Sequence, residues 1–286
     1  MAVELAKDSI DLGIMVQDIE TALPFYQGLL GFEYDGIGAM DMGKRGVMHR
    51  LLCGTSLIKV RQIPAGAAGN VAAPGGINAA IGMRYWTISI SNMDAVVERC
   101  NAAGYRIPMG PLEFRPGVRI AMIEDPDGNW LELVENTTVT TADGSKLALT
   151  KDSIDLGIMV EEAEAAMEFY RDVLGLPADS IPEMPLPDGS VMHRLRAGTS
   201  VIKIRQHAKP PSARSAPGGS DAATGLRYWT MTVSNLAAAT RRAQEAGYAV
   251  PIPATEIRPG TSISMIEDPD GNYVELLEVA PPAPKL

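Results

Sequence analysis

The sequence KDSIDLGIMV occupies Lys7–Val16 and occurs again, unchanged, at Lys151–Val160. Three shorter identities, VMHR, RYWT and IEDPDGN, follow it in the same order in both halves of the chain. The copies of KDSIDLGIMV and VMHR are 144 residues apart, and the copies of the other two are 143 apart. The chain of 286 residues is therefore a tandem duplication of a unit of about 140 residues.

The first half of the unit begins with an alternating strand. In Ser9–Val16, Leu12, Ile14 and Val16 face one way and Asp11, Gly13 and Met15 the other. The spacing then predicts, in order, a helix at Gln17–Leu30, a loose segment at Phe32–Gly46, and a hairpin of Val47–Leu52 with Ser56–Gln62.

The second half of the unit repeats this order. It predicts a strand at Tyr85–Ser91, a helix at Met93–Ala103, a ragged strand through Pro108 and Pro111, and a hairpin of Val118–Glu124 with Trp130–Glu135. The turn of that hairpin is Asp-Pro-Asp-Gly, in which the aspartates act as turn formers. Each repeat thus contains two strand–helix–strand–strand–strand modules, which makes four βαβββ modules in the chain.

Two motifs at fixed places in these modules carry a family resemblance. A helix that begins D-x-E-x-A-x-x-F-Y at Asp18, and a closing DPDGN-x-x-E-L at Asp125, together resemble the vicinal oxygen chelate superfamily. That superfamily includes glyoxalase I, extradiol dioxygenases, methylmalonyl-CoA epimerase and bleomycin-resistance proteins. The resemblance implies an α+β fold in which the modules form two cupped mixed sheets.

The domain organisation expected from the resemblance is one glyoxalase-like domain per repeat. The boundaries are residues 1–138 for the first domain, 139–150 for a linker, 151–280 for the second domain and 281–286 for a disordered tail. Pairing of modules within a repeat is the simpler arrangement and is preferred, while pairing across repeats stays open.

The resemblance also implies which positions would hold a divalent metal. They are Asp11, Lys59, Tyr85 and Glu132 in the first repeat and Asp155, Lys203, Tyr228 and Glu275 in the second. Lysine stands where the family has a ligand, and a protonated amine repels a cation. We therefore expect no cofactor. The alternative is a metal held by Asp11, Tyr85 and Glu132, or by Asp155, Tyr228 and Glu275.

Strand alternation extends the set of residues that face each cup. An even-length turn at Cys53–Ser56 pairs Arg50 with Lys59 and places them on one face with Arg61, while His49 points away. The predicted substrate-binding residues are Arg50, Arg61, Thr87 and Trp130, with Arg194, Arg205, Thr230 and Tyr273 as their counterparts. His193, the counterpart of His49, also points away from the cup.

The eight residues at the metal positions are the candidate catalytic groups. The lysine would stabilise an enolate, a carboxylate would take a proton next to a carbonyl, and the tyrosine would return it. The function favoured is a metal-independent lyase, isomerase or epimerase acting on a small oxygenated substrate, anionic or aromatic. The alternatives are a ligand-sequestering protein of the resistance type, a metal-dependent glyoxalase or dioxygenase, and a charge cluster with a purely structural role.

Composition narrows the possible partners and location. The net charge of −10 argues against nucleic acid, so the expected partner is a small molecule, with a homodimer possible. Cys53 and Cys100 occur only in the first repeat, which fits a reducing compartment. The first residues show no signal-peptide pattern and no stretch has the apolar length of a bilayer span, so a cytoplasmic location is expected.

Overall fold

The computed structural model describes residues 2–64, 76–140 and 146–280, and it confirms four βαβββ modules. The first module has β1 (Asp11–Val16), α1 (Ile19–Leu23) continuing as a π-helical turn (Pro24–Leu29), β2 (Glu33–Asp41), β3 (Val47–Cys53) and β4 (Ser56–Gln62). The second has β5 (Gly82–Ile90), α2 (Met93–Ala102), β6 (Met109–Arg115), β7 (Val118–Glu124) and β8 (Trp130–Asn136).

The second repeat has the same element order. Its first module has β9 (Asp155–Val160), α3 (Ala163–Met167) continuing as a π-helical turn (Glu168–Val173), β10 (Ala178–Pro185), β11 (Val191–Ala197) and β12 (Ser200–Gln206). Its second module has β13 (Gly225–Thr232), α4 (Leu236–Glu245), β14 (Ile252–Arg258), β15 (Thr261–Glu267) and β16 (Tyr273–Val279). Short 3₁₀ turns lie at Gly43–Arg45 and Gly219–Asp221.

The prediction of a loose segment at Phe32–Gly46 is wrong, because β2 lies within it. This strand pairs antiparallel with β3, and its register shifts between Tyr34 and Ala39. It is the edge strand of its sheet and is exposed or half-buried along its whole length. An edge strand without a buried face lacks the alternation of apolar residues by which a strand is recognised in sequence.

The preferred pairing of modules within a repeat is also wrong. The two eight-stranded sheets have the orders β14-β15-β16-β13-β1-β4-β3-β2 and β10-β11-β12-β9-β5-β8-β7-β6. The first module of each repeat therefore shares a sheet with the second module of the other repeat. The modules meet where β1 pairs with β13 and where β5 pairs with β9. Both pairs are antiparallel, with Asp11 opposite Thr230 and Thr87 opposite Asp155. Each cup is thus built from both halves of the chain.

The repeated opening stretch helps to hold the two sheets together. The backbone N–H of Thr55, in the β3–β4 turn, donates to the carbonyl of Asp152 at 2.7 Å, and Thr199 donates in the same way to Asp8. Gly54 has φ of +59°, and a Cβ at that position would lie 2.5 Å from the Asp152 carbonyl oxygen. A glycine is therefore required at this close approach.

The apolar core lies between the sheets and the helices. It contains Leu12, Ile14, Trp86, Ile88 and Leu131, all at 0–1% exposure, as the alternation predicts. In both repeats a buried tyrosine of the π-helical turn donates to the first aspartate of the DPDGN turn, at 2.6 and 2.7 Å. No helix in residues 2–64, 76–140 and 146–280 is long and apolar enough to cross a membrane.

Candidate active site

The register of the hairpins places the predicted basic residues on the cup side. Arg50 lies opposite Lys59 and Met48 opposite Arg61, as an even-length turn requires. The second repeat has the same register. His49 lies on the other face, where its Nδ1 is 2.6 Å from the hydroxyl of Tyr34.

One cup, which we call the Lys203 cup, combines β9–β12 with β5–β8. At its base the Nζ of Lys203 lies 2.6 Å from Oε2 of Glu132 and 2.7 Å from the Thr87 hydroxyl. Thr87 in turn donates to the same Oε2 at 2.6 Å. All three side chains are buried, so the ion pair is largely removed from water.

The other cup, the Lys59 cup, combines β1–β4 with β13–β16 and repeats this triangle. Lys59 Nζ lies 2.6 Å from Glu275 Oε2 and 2.7 Å from the hydroxyl of Thr230, which donates to Oε2 at 2.5 Å. The expected neighbours of Lys59 within its own repeat, Tyr85 and Glu132, lie in the Lys203 cup instead. The pairing of modules across the repeats is the reason.

A tyrosine ring lies beside each lysine. Lys203 Nζ is 5.3 Å from the centre of the Tyr85 ring, and Lys59 Nζ is 5.2 Å from that of Tyr228. Burial is the main reason that the pKa of both phenols rises to about 12, although the neighbouring lysines oppose the shift. Both phenols are therefore protonated at neutral pH and are hydrogen-bond donors.

Glycines in the first strands make room for these rings. A Cβ at Gly157 would lie 2.0 Å from Cε1 of Tyr85, and one at Gly13 would lie 2.1 Å from Cε1 of Tyr228. These two glycines belong to the repeated KDSIDLGIMV stretch. The stretch therefore encodes a contact with a ring in the other repeat.

The two lysines are held in their charged form. Burial alone would lower the pKa of Lys203, but the charge of Glu132 outweighs it and the pKa lies above its ordinary value. Glu275 has the same effect on the pKa of Lys59. A Schiff base, which needs the neutral amine, is disfavoured in both cups.

Asp11 and Asp155 have a different environment from the other candidate residues. Asp155 accepts the backbone N–H of Val201 at 2.7 Å and pairs with Lys151, and Asp11 does the same with Leu57 and Lys7. The sequence reasoning missed these two lysines. The signal was present, since each lysine precedes its aspartate by four residues within the repeated stretch.

The arginines of the wall are paired with carboxylates. Arg50 Nε lies 2.8 Å from Asp35 Oδ2, and Arg194 Nε lies 2.9 Å from Asp179 Oδ2. Asp35 lies in the segment predicted to be loose. Its pairing with Arg50 was therefore not predicted. A carboxylate thus already pairs with each guanidinium, and substrate binding by Arg50 stays a prediction.

The Lys203 cup contains a cavity of about 400 Å³. Its base holds Tyr85, Glu132 and Lys203, whereas Asp155, Thr87 and Trp130 are not among its lining residues in the described part of the chain. The indole N–H of Trp130 donates to Glu124 at 2.8 Å. The rest of the lining is mostly apolar and includes Met109, Leu112, Phe114, Ile120, Met122, Val134, Met184, Leu186 and Met192. Sequence reasoning did not place these side chains.

Two oxygens at the base have no partner within residues 2–64, 76–140 and 146–280. Both hydrogen bonds to the Glu132 carboxylate go to Oε2, which leaves Oε1 without one. The Tyr85 hydroxyl also has no hydrogen bond there, and neither atom is fully buried. A carboxylate oxygen and a phenol are thus available to a ligand, and Glu275 and Tyr228 have the same arrangement.

The residues at the expected metal positions fit a divalent cation poorly. The Lys203 ammonium lies against the Glu132 carboxylate, at the place where a cation would bind. In the described ranges no three His, Cys, Asp or Glu side chains come close enough together to hold a metal ion. The donor set therefore suits an ammonium group better than a metal.

Two curled eight-stranded sheets of βαβββ modules, each with a polar cluster at the base of the cup, define a glyoxalase-like protein. The family model described as "Glyoxalase/Bleomycin resistance protein/Dioxygenase superfamily" matches residues 9–133 and 153–276. The chain belongs to this superfamily.

Solved structures show the same fold at low sequence identity. Glyoxalase I from Zea mays has a TM-score of 0.72 at 14% identity, over 97% of this chain and 92% of that one. A putative dioxygenase from Bacillus subtilis has 0.70 at 17%, over 98% and 87%. The cppA protein from Streptococcus pneumoniae has 0.54 at 10%, over 96% and 100%. No curated protein matches the chain.

Proposed function

We propose that the chain is a metal-independent enzyme that moves a proton on a small oxygenated anion, as an isomerase, epimerase or lyase. The observation that carries the proposal is the asymmetric use of the Glu132 carboxylate. Lys203 and Thr87 hold Oε2 at 2.6 Å, while Oε1 has no partner among the described residues. A base that is held by one oxygen and free at the other is positioned for proton transfer.

The chemistry follows from the three groups at the base of the cavity. Glu132 Oε1 takes the proton from a carbon next to a substrate carbonyl, and the electron pair of that C–H bond moves onto the carbonyl oxygen as an enolate. The Lys203 ammonium stabilises the enolate charge, which is the task a metal performs elsewhere in the superfamily.

The second half of the reaction uses the phenol. Tyr85, whose pKa burial raises to about 12, gives its proton to the enolate carbon and thereby yields an epimer or an isomer. Expulsion of a leaving group from the neighbouring carbon would give a lyase instead. Glu132 then releases its proton to solvent, and the tyrosinate takes one up.

The test is exchange of substrate C–H for deuterium. A panel of 2-oxo and 2-aryl carboxylates is incubated with chelator-treated protein in D₂O, and loss of the C–H signal is followed by proton NMR. Glu132→Gln should slow exchange by about 10²–10⁴-fold. The control is Glu98→Gln on the exposed side of α2, which removes the same charge far from the cup. Exchange that stops on chelation and returns with a divalent ion would overturn the metal-independent mechanism.

A sequestering protein is the second candidate function. It is favoured by methionines that line the cavity, such as Met122 and Met184, and by the carboxylate pairing of Lys203, Arg194 and Arg205. Such a pocket binds apolar ligands without activating them. Tight binding of panel compounds with no exchange in any of them would favour this function over the enzyme.

A further inference from the structure

The two cups have equivalent residues at their bases but differ at their mouths. In the Lys59 cup, Arg61 reaches from β4 to the turn Gly219–Asp221, which belongs to the other half of the sheet. Its guanidinium donates to the carbonyls of Arg45 at 2.6 Å and Ser220 at 3.1 Å, and it pairs with Asp221. Arg61 is only 2% exposed. The side chain therefore ties the two halves of this cup together.

A second contact crosses the same cup. Arg258 Nη1 lies 3.5 Å from the sulfur of Met40. Arg258 ends β14 and Met40 lies in β2, and these two strands are the opposite edges of the sheet. The edges of the curled sheet therefore meet over the Lys59 cup.

The Lys203 cup has different residues at the positions equivalent to those that Arg61 contacts in the Lys59 cup. Ile77 and Asn78 stand where the other cup has Ser220 and Asp221. Arg205, the counterpart of Arg61, bonds within its own module to Ser190 at 3.0 Å and pairs with Asp188. It is 13% exposed and lines the cavity.

The residues equivalent to the second contact face the cavity. Arg115 and Met184, the counterparts of Arg258 and Met40, both line the cavity. Among the described lining residues, the cations Arg194, Lys203 and Arg205 each pair with a carboxylate, whereas Arg115 has no carboxylate partner. This unpaired cation, in a chain of net charge −10, favours an anionic ligand.

We propose that the two cups are unequal: the Lys203 cup binds an amphipathic anion, and the contacts of Arg61 and Arg258 keep the Lys59 cup closed to it. The ligand would place its anionic end toward the arginines and its apolar body against the methionines. The proposal takes from the proposed function only that the ligand is an anion, and it concerns binding rather than turnover.

The experiment uses the fluorescent anion 8-anilinonaphthalene-1-sulfonate as the probe, with the full-length chain. Calorimetry and fluorescence titration should give one probe molecule per chain. Met122→Trp, which fills the Lys203 cup, should abolish this binding. The matched variant Met265→Trp, at the equivalent place in the Lys59 cup, should retain it.

Two further variants avoid changes in the packed interior. Arg115→Glu reverses an exposed charge at the cavity and should weaken binding at least about tenfold, which corresponds to about 1.4 kcal/mol. The double variant Asp221→Asn with Arg258→Ala removes the ion pair of Arg61 and the contact of Arg258, and thereby weakens the closure of the Lys59 cup. It should raise the stoichiometry from one probe to two.

Three results would overturn the proposal: two equal sites in the unaltered protein, a single site that Met265→Trp removes, or no binding at all. Failure of the proposed function would look different. Probe binding with a stoichiometry of one, together with no deuterium exchange in any compound, would leave the unequal cups in place and remove only the enzyme.

Discussion

Lys203 of the second repeat forms an ion pair with Glu132 of the first, with Nζ 2.6 Å from Oε2, and Lys59 and Glu275 form the same pair in the other cup. Neither repeat contains a complete pair of its own. Each of these four buried charges therefore depends on the other half of the chain for its neutralisation.

Replacement of one partner should be far more damaging than replacement of both. Lys203→Met leaves the Glu132 carboxylate buried without a countercharge, and we expect a loss of about 3–5 kcal/mol in the free energy of unfolding. The double variant Lys203→Met with Glu132→Met should recover most of that loss. Urea unfolding at pH 7 measures both, and additive losses in the double variant would contradict the prediction.

The repeated glycine should be intolerant of a methyl group. Gly157→Ala would place a Cβ 2.0 Å from the buried Tyr85 ring, and we expect a cost of about 1–3 kcal/mol as the ring is displaced. Gly28→Ala is the control, because a Cβ at that position has no neighbour within 4 Å. Thermal unfolding compares the two variants, and equal midpoints would count against the ring contact.

Asp268 should make stability depend on pH. Burial raises its pKa to about 6, against hydrogen bonds from Asn272 and Tyr170 that oppose the shift. Because its pKa is higher in the folded protein, this carboxyl is protonated to a greater extent in the folded protein than in the unfolded chain between about pH 4 and 6. Its ionisation therefore lowers stability as pH rises across that window.

The variant Asp268→Asn removes this titration. The stability of the wild type relative to the variant should fall by about 2–3 kcal/mol between pH 4 and pH 7. Urea unfolding of both proteins at a series of pH values measures the difference. A difference that stays constant, or that rises with pH, would contradict the raised pKa, because Asp268 would then ionise at least as readily in the folded protein as in the unfolded chain.

An isolated repeat should form a dimer, because in the full chain each of its modules pairs with a module of the other repeat. The joints of the sheets, β1 with β13 and β5 with β9, both connect different repeats. Residues 1–140 alone would leave the β1 and β5 edges unpaired, and unpaired edges associate. We expect a dimer in which two copies exchange modules, measured by light scattering after size-exclusion chromatography. A stable folded monomer would contradict this.

The local elements of the fold could be predicted because their signals are local. Alternation gave the face of Leu12 and Ile14, and the even-length turn gave the pairing of Arg50 with Lys59. The strand β2 could not be predicted, because an exposed edge strand carries no periodic burial. The partner of Arg50, Asp35, was missed with it.

The sequence predicted which residues form the site but not which of them contact one another. The lysines, tyrosines and final glutamates were all singled out, and each of them lies at the base of a cup. Lys7 and Lys151 were missed, although their spacing from Asp11 and Asp155 was visible in the repeated stretch. The lining methionines were not placed, because their positions depend on how the sheets curl.

By itself, the sequence determined the duplication, the four modules and the kinds of side chain that face each cup, because identity between repeats and alternation along a strand can be seen without knowledge of long-range contacts. Only the tertiary structure decided which halves meet. The strands β5 and β13 are equivalent candidates for pairing with β1, since the repeats share the same pattern, and nothing local distinguishes them. The pairing across the repeats is seen in contacts between residues far apart in sequence, such as Gly13 with Tyr228 and Thr55 with Asp152. It brings Lys59 to Glu275 and not to Glu132.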